Sequence, residues 1–196
     1  MVKIARAGAV KTRLGREIGT VAATSFYRAA SAAVVERLGC DPRWRLVLAV
    51  TPDTGRDTRA WASARRRLVQ GHGDLGARMQ HLFDALPPGP VVIVGTDIPA
   101  IRPVHIARCF QLAERHGAVL GPALDGGYWA VGQRRSPRIA SPFAGVRWSH
   151  AETRADTVRG FGRLAVATGD ALSDVDDLSS WQAVQSWSGR RVQPIA

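Results

Sequence analysis

Lysine is almost missing from this chain of 196 residues. Of its 27 basic residues only Lys3 and Lys11 are lysine, so arginine carries the formal net charge of +11. Cysteine is as scarce: Cys40 and Cys109 lie far apart and in no CxxC pattern. That excludes a disulfide framework and predicts buried thiols in a reducing compartment. No apolar run approaches the roughly 20 residues of a membrane span. Basic residues near the start are followed by no apolar core, which argues against a secretory signal, and a cytoplasmic protein is expected. The chain also lacks alternating aromatic and basic residues. Its arginines are scattered, and the densest run, Arg65-Arg66-Arg67, leads straight into an apolar segment. Specific nucleic-acid binding is therefore not expected, although a basic surface would also suit an anionic membrane or a polyphosphate ligand.

What is present is a globular composition with alternating strand and helix signals, and no repeats or linker, so a single α/β domain over residues 1–196 is expected. Apolar residues recur at Leu14, Ile18, Val21, Ala22, Phe26, Ala29, Ala33 and Leu38, a helical stripe that Gly39 would stop at C′. Leu46–Val50 reads as a buried strand and Arg67–Gln70 as a second. Asp74 would cap a helix with Leu75, Met79, Leu82, Phe83 and Leu86 on one face, ended by Pro87-Pro88-Gly89. Val91–Val94 is the clearest strand. A helix from Pro103 to about His116 follows, then strands at Ala118–Leu120 and Tyr128–Val131, a helix near Ser149–Arg159, a strand at Leu164–Ala167 and a helix around Leu178–Trp187.

Gly95-Thr96-Asp97-Ile98-Pro99 follows the clearest strand, and open α/β sheets bind ligands beyond the carboxyl ends of their strands. Asp97 could hold Mg²⁺ there or merely cap a turn. Gly8 stands ahead of Lys11, Thr12 and Arg13 at a helix start, which suits an anion cradle or an ordinary solvated helix end. Gly71-His72-Gly73-Asp74-Leu75-Gly76 matches GxGxxG between a strand and a helix, the context of a dinucleotide fingerprint. Asp125-Gly126-Gly127-Tyr128 joins two strands, as a ligand loop or as a hairpin turn. Asp174, Asp176 and Asp177 crowd four residues, either to cap the last helix or to face one way as metal ligands. Of the six tryptophans, Trp44, Trp61, Trp129, Trp148, Trp181 and Trp187, Trp129 and Trp148 fall in these segments.

Taken together, GAVKTRL (8–14), QGHGDLGARM (70–79), VGTDIP (94–99), GPALDGGYWAVG (121–132), Phe143 with Trp148-Ser149, and DVD (174–176) resemble one family. It is the bacterial GT-A-type group of radical-SAM/selenodomain-associated transferases, in the nucleotide-diphospho-sugar transferase superfamily, related to molybdenum-cofactor and phospholactate guanylyltransferases. The resemblance implies a three-layer α/β/α sandwich with a mixed, mainly parallel central sheet. It implies Lys11 and Arg13 on nucleotide phosphates with Gly8 and Thr12 beside them, and Gly71, Gly73, Asp74 and Gly76 shaping the nucleoside pocket. Asp97, Asp174 and Asp176 would hold Mg²⁺ or Mn²⁺. Asp125, Gly126, Gly127, Tyr128 and Trp148 would form the acceptor side, with Lys11, Arg13, Asp97 and Asp125 as the catalytic set.

Three departures from the family pattern stand out. The chain begins inside the expected first strand, which reads as truncated. Ala5 and Ala7 replace the usual prolines, and Asp177-Leu178-Ser179-Ser180 replaces the usual Thr-Pro-Glu-Asp after DVD. The function implied is Mg²⁺-dependent transfer from an activated nucleotide, either nucleotidyl transfer from an NTP or glycosyl transfer from a nucleotide-sugar, to a small acceptor. An NAD(P)-dependent oxidoreductase built on the Gly71–Gly76 loop and a non-catalytic basic nucleic-acid binder are the readings from other classes.

Overall fold

Among the described residues, seven strands fall into two hydrogen-bonded groups. β1 (Val2–Lys3), β2 (Val47–Thr51) and β3 (Arg66–Val69) are parallel neighbours in that order. β4 (Val91–Val94), β5 (Gly117–Pro122), β6 (Tyr128–Gln133) and β7 (Ala165–Thr168) form a mixed group ordered β4-β6-β5-β7. In that group β6 runs antiparallel to β4 and β5, while β5 and β7 are parallel. The computed structural model describes residues 1–189 except 57, 59, 63 and 65, and side chains only as far as residue 183 within the last helix. Arg65 and the side chain of Trp187 lie outside the described residues. The two groups are linked at β1 and β4: the Met1 amino group donates to Val94 O at 2.6 Å and Thr96 Oγ1 donates to Met1 O at 3.2 Å. A mixed, mainly parallel central sheet was expected, with its first strand truncated, and the two-residue β1 pairs by ladder with β2.

Among the described residues, six α-helices cover the strands: α1 (Thr12–Ile18), α2 (Thr20–Gly39), α3 (Leu75–Ala85), α4 (Pro103–His116), α5 (Thr153–Gly160) and α6 (Leu178–Gly189). Side chains alternate along a strand, so neighbouring residues enter different layers. Val119 and Ala130 pack with Val34 and Leu38 of α2 and Ile106, Cys109 and Ala113 of α4. Ala118, Leu120 and Val131 pack instead with Met79, Leu82 and Phe83 of α3, together with Phe143 and Phe161. Helices on both sides of the strands are the three layers expected. Among the described residues no helix is long and apolar enough to cross a membrane.

Several local expectations are corrected. The single helix over 14–38 is two, broken at Gly19, whose φ of 89° lies outside the helical region. The break shifts the helical phase, so Val21, Ala22, Ala29 and Ala33 face outward while Ala23, Tyr27, Ala30, Val34, Val35 and Leu38 are buried. In so alanine-rich a segment several stripes fit equally well, and the polar members of the true one make hydrogen bonds. Thr24 Oγ1 donates to Thr20 O at 2.6 Å, and Ser31 Oγ accepts from Trp61 Nε1 at 3.0 Å. Gly39 is the last helical residue of α2, with Cys40 as its C-cap. Cys109 is buried as expected, but Cys40 is exposed. Leu75 is also 45% exposed, because it begins α3 at the edge of a cleft. α5 starts at Thr153, four residues later than expected, after Ser149 adopts φ 56°.

Arginine's abundance has a structural use. Arg67 donates to Ala64 O, Ala60 O and Trp61 O, holding the loop after β2. Arg135, 9% exposed, gathers the carbonyls of Phe83, Leu86, Pro87 and Gly89 at the end of α3. Arg37 does the same for Pro99 and Ile101. A planar fork with five donors satisfies several carbonyls at once, which an ammonium does less well.

Candidate active site

β4 ends at Val94, and Gly95-Thr96-Asp97 turns out of it with Gly95 N donating to Trp129 O at 3.1 Å. A Cβ on Gly95 would lie 2.9 Å from Asp97 Oδ1, so the glycine leaves room for the carboxylate to fold back over the strand end. Opposite Asp97 runs Asp174-Val175-Asp176. Val175, 1% exposed, packs with Leu14 and Ala23 of α1 and α2, and its N–H donates to Asp97 O at 3.4 Å. In extended chain the neighbours of an inward residue point the other way. The carboxylate oxygens of Asp97, Asp174 and Asp176 accordingly lie within 4.8 Å of one another.

The third carboxylate of the run is used differently. Asp177 Oδ1 accepts from Ser180 N at 2.9 Å, and Glu17 Oε2 accepts from Leu178 N at 2.7 Å. Asp177 thus caps α6, while Asp174 and Asp176 face Asp97. Ser180 Oγ also accepts from the N–H groups of Asp176 and Asp177 at 3.2 Å. The Asp177-Leu178-Ser179-Ser180 segment therefore orders the DVD turn.

Lys11 completes the cluster. Its Nζ donates to Asp97 Oδ2 at 2.9 Å and to Asp176 Oδ1, and its side chain is only 4% exposed. Its backbone sits in the left-handed region at φ 46°, ψ 47°, a conformation that costs a non-glycine residue about 1 kcal/mol or more. Burial alone would lower its pKa, but the paired carboxylates Asp97 and Asp176 outweigh that and raise it, so Lys11 stays charged. Asp174 is pushed up to about 6, first by burial and then by the nearby charges of Asp176, Asp97 and Asp125. Three carboxylates facing one ammonium leave uncompensated negative charge. An all-oxygen donor set of this kind fits a hard divalent ion, which takes carboxylate, phosphate and water oxygens.

Two clefts meet at Asp97. The first, of about 350 Å³, is lined by Val10, Tyr27, Thr51, Gln70, Leu75 and Thr96 among others. The second, of about 220 Å³, is lined by Asp125, Gly127, Tyr128, Trp148, His150 and Asp174 among others. Asp97, Leu75, Tyr128 and Trp129 border both.

Of the residues singled out in the sequence, Asp97, Lys11, Asp174 and Asp176 come together. Asp125, Gly127, Tyr128 and Trp148 gather in the second cleft. Gly126, at φ 88°, packs against Ala151, and Arg154 N donates to Gly126 O at 3.1 Å. Arg13 and Thr12 are exposed at the start of α1, and Gly8 (φ 73°) has open space around it. Gly71, Gly73, Asp74 and Gly76 are not among the first cleft's lining residues, although their neighbours Gln70 and Leu75 are. Asp74 Oδ1 caps α3 by accepting from Ala77 N at 2.8 Å, while its Oδ2 accepts from Trp148 Nε1 at 3.2 Å. A Cβ on Gly76 would meet Phe143 at 2.7 Å and Trp148 at 2.8 Å. The GxGxxG spacing is thus accounted for by a helix cap and by close packing on the 143–148 segment. It follows an edge strand, β3, rather than a topological switch point.

Sequence reading passed over Tyr27, Thr51, Gln70, Thr96 and His150. Thr51 ends β2 and Gln70 follows β3, so the rule that sites form at strand carboxyl ends points to both. The Gln70 amide donates to Val2 O and Ala49 O at 2.9 Å. The Tyr27 hydroxyl accepts from Lys3 N at 2.9 Å, and burial raises its pKa. Nothing local marks Tyr27, which arrives from the buried face of α2.

A candidate nucleotide-diphospho-sugar transferase from Desulfovibrio desulfuricans G20 superposes with a TM-score of 0.80 at 28% identity, covering 93% of this chain and 83% of that one. Glucosyl-3-phosphoglycerate synthase from Mycobacterium tuberculosis, solved with Mn²⁺, UDP and glucosyl-3-phosphoglycerate, superposes with a TM-score of 0.58 at 14% identity, covering 87% and 78%. At that identity the likeness is one of fold. No curated protein matches the chain in sequence. Residues 34–150, more than half of the chain, match the sequence profile of a bacterial family, and by that match the chain belongs to DUF2064, uncharacterized proteins conserved in bacteria.

Proposed function

We propose that the chain is a divalent-metal-dependent transferase that acts on an activated nucleotide, with the nucleotide in the first cleft and an acceptor in the second. The observation that carries this reading is the convergence of Asp97, Asp174 and Asp176 with Lys11 where the two clefts meet. Asp97, Asp174 and Asp176 would hold Mg²⁺ or Mn²⁺, which when bound supplies positive charge against the donor's phosphates. Lys11, charged and nearly buried, adds a second positive group at the same place. Arg13, exposed on the first turn of α1, would meet a phosphate from the solvent side. Tyr27, Thr51, Gln70 and Thr96 offer the nucleoside hydrogen-bonding groups in a cleft otherwise lined mainly by apolar side chains.

Nucleotidyl and glycosyl transfer both fit this arrangement, and kinship with the radical-SAM-associated transferases and guanylyltransferases belongs to the same reading. The likeness to a synthase solved with UDP and Mn²⁺ supports the choice of donor class and of a divalent ion. The test is a thermal-shift screen of nucleotides and nucleotide-sugars with and without Mg²⁺ or Mn²⁺, since a ligand stabilises by RT ln(1 + [L]/Kd). A metal-dependent shift that Asp97→Ala abolishes, with the fold retained, is the expected result. A shift with NAD(P)H that ignores metal would overturn the reading. Incubation with labelled GTP or CTP, and separately with UDP- and GDP-sugars, then separates the two transfers.

A further inference from the structure

The charge lining the second cleft selects among acceptors. Among the described residues that line it, none is lysine or arginine. Its carboxylates are Asp97, Asp174 and Asp125, joined by the His150 imidazole and the Tyr128 phenol. The His150 Nδ1 is taken up by the Glu152 N–H, which it accepts at 3.1 Å. With a divalent ion in place, the three clustered carboxylates are balanced by the ion and Lys11. Asp125 then remains as an uncompensated negative charge at the acceptor end. Its Oδ1 is held by Gly127 N at 2.9 Å, and carboxylates offer only acceptors. Beside it stand the aromatic rings of Tyr128 and Trp148.

We infer that the acceptor is an uncharged, hydroxyl-bearing compound of sugar or polyol type, and that the transferred group is glycosyl; this rests on the transferase reading above. Hydroxyls donate to Asp125 while the C–H face of such a compound lies on an aromatic ring. A phosphate or carboxylate would bring acceptors to an acceptor and a negative charge to a negative wall. Nucleotidyl transfer of the kind that needs an acceptor phosphate to attack finds no lysine or arginine among the described residues lining this cleft, so only the metal already shared with the donor would face that phosphate. In the glycosyl reaction an acceptor hydroxyl oxygen forms a bond to the anomeric carbon as the bond from that carbon to the phosphate oxygen breaks. The nucleoside diphosphate leaves with the bonding electrons, and the hydroxyl proton passes to water. The mycobacterial synthase of similar fold was solved with a phosphorylated compound, glucosyl-3-phosphoglycerate, so the inference separates this chain from that neighbour.

The experiment uses the whole protein with Mn²⁺ and the nucleoside diphosphate that gives the largest metal-dependent thermal shift. Ligand-observed NMR then compares binding of methyl glucoside with glucose 6-phosphate, and of glycerol with glycerol 3-phosphate. The neutral member of each pair is expected to bind about tenfold tighter, the effect of one nearby like charge partly screened by solvent. Asp125→Asn keeps the acceptor oxygen for Gly127 N–H and should reduce that preference to about threefold or less. Its retained nucleotide shift would show that it folds. Equal or tighter binding of the phosphorylated members, a preference indifferent to Asp125→Asn, or no binding of any neutral member at millimolar concentration would overturn the inference. If no nucleotide gives a metal-dependent shift at all, it is the transferase reading that fails, and the two failures are told apart at the first step.

Discussion

Lys11 Nζ lies 2.9 Å from Asp97 Oδ2 across 86 residues of sequence, and it bonds Asp176 Oδ1 as well. The ammonium stands among the carboxylates proposed to hold a divalent ion, so Lys11 and the ion compete for the same oxygens. Lys11→Met removes the competitor at similar length. Binding of Mn²⁺ alone, followed by its EPR signal, should tighten by about tenfold. Binding of a nucleoside diphosphate in the presence of Mn²⁺ should weaken. Unchanged metal affinity would remove Lys11 from the site.

Gly95 sets the direction of the Asp97 carboxylate. A Cβ there lies 2.9 Å from Asp97 Oδ1, the end of a side chain that can move. Gly95→Ala should therefore shift the carboxylate rather than the fold. Metal affinity by titration calorimetry is expected to fall by about tenfold, with the thermal midpoint within a few degrees of wild type.

Gly126 makes the opposite case. At φ 88° its Cβ would come within 2.2 Å of the Ala151 carbonyl oxygen, a backbone atom that cannot step aside. Gly126→Ala should cost about 2 kcal/mol or more in urea unfolding. It should also separate the Asp125 loop from the 150–154 segment, weakening acceptor binding.

Asp156 supplies the acid limb of stability. It is buried between Arg147 and Arg159, accepting from Arg147 Nε at 2.7 Å and Nη2 at 2.8 Å. The hydrogen-bonded Arg147 guanidinium holds the carboxyl far below its ordinary value of 3.8. A carboxylate with a depressed folded pKa stabilises fully above its unfolded value and loses that contribution as pH falls below it. Thermal midpoints should drop as pH is lowered from about 4. Asp156→Asn should be less stable at pH 7 but show a flatter acid limb.

Arg135 tests the structural use of arginine. Removing its guanidinium leaves the carbonyls of Phe83, Leu86, Pro87 and Gly89 short of donors at the end of α3. Arg135→Met should cost about 2–4 kcal/mol. Arg135→Lys should recover only part of it, because an ammonium lacks the planar fork. Metal-dependent nucleotide shifts should persist in both variants at temperatures where they are folded.

The strands, the cap at Asp74, the proline start of α4 and the position of Asp97 were legible in the sequence, because each depends on residues within a few positions of one another. Apolar runs bounded by turn residues make strands, an acid before a helix satisfies its first N–H groups, and a carboxylate after a strand sits at the strand's end. The burial phase of α2 was not legible: one glycine at position 19 resets it, and alanine on every side erases the contrast on which periodicity depends. Nor could spacing alone decide which carboxylates of the 174–177 run face Asp97 and which caps α6. That division follows from Val175 seeking the pocket between α1 and α2, an apolar contact between segments far apart in the chain. The junction of Lys11 with Asp97 and Asp176, and the sharing of Asp97 by two clefts, were decided by the tertiary structure alone. Electrostatic balance is a sum over groups that only folding brings within a few ångströms.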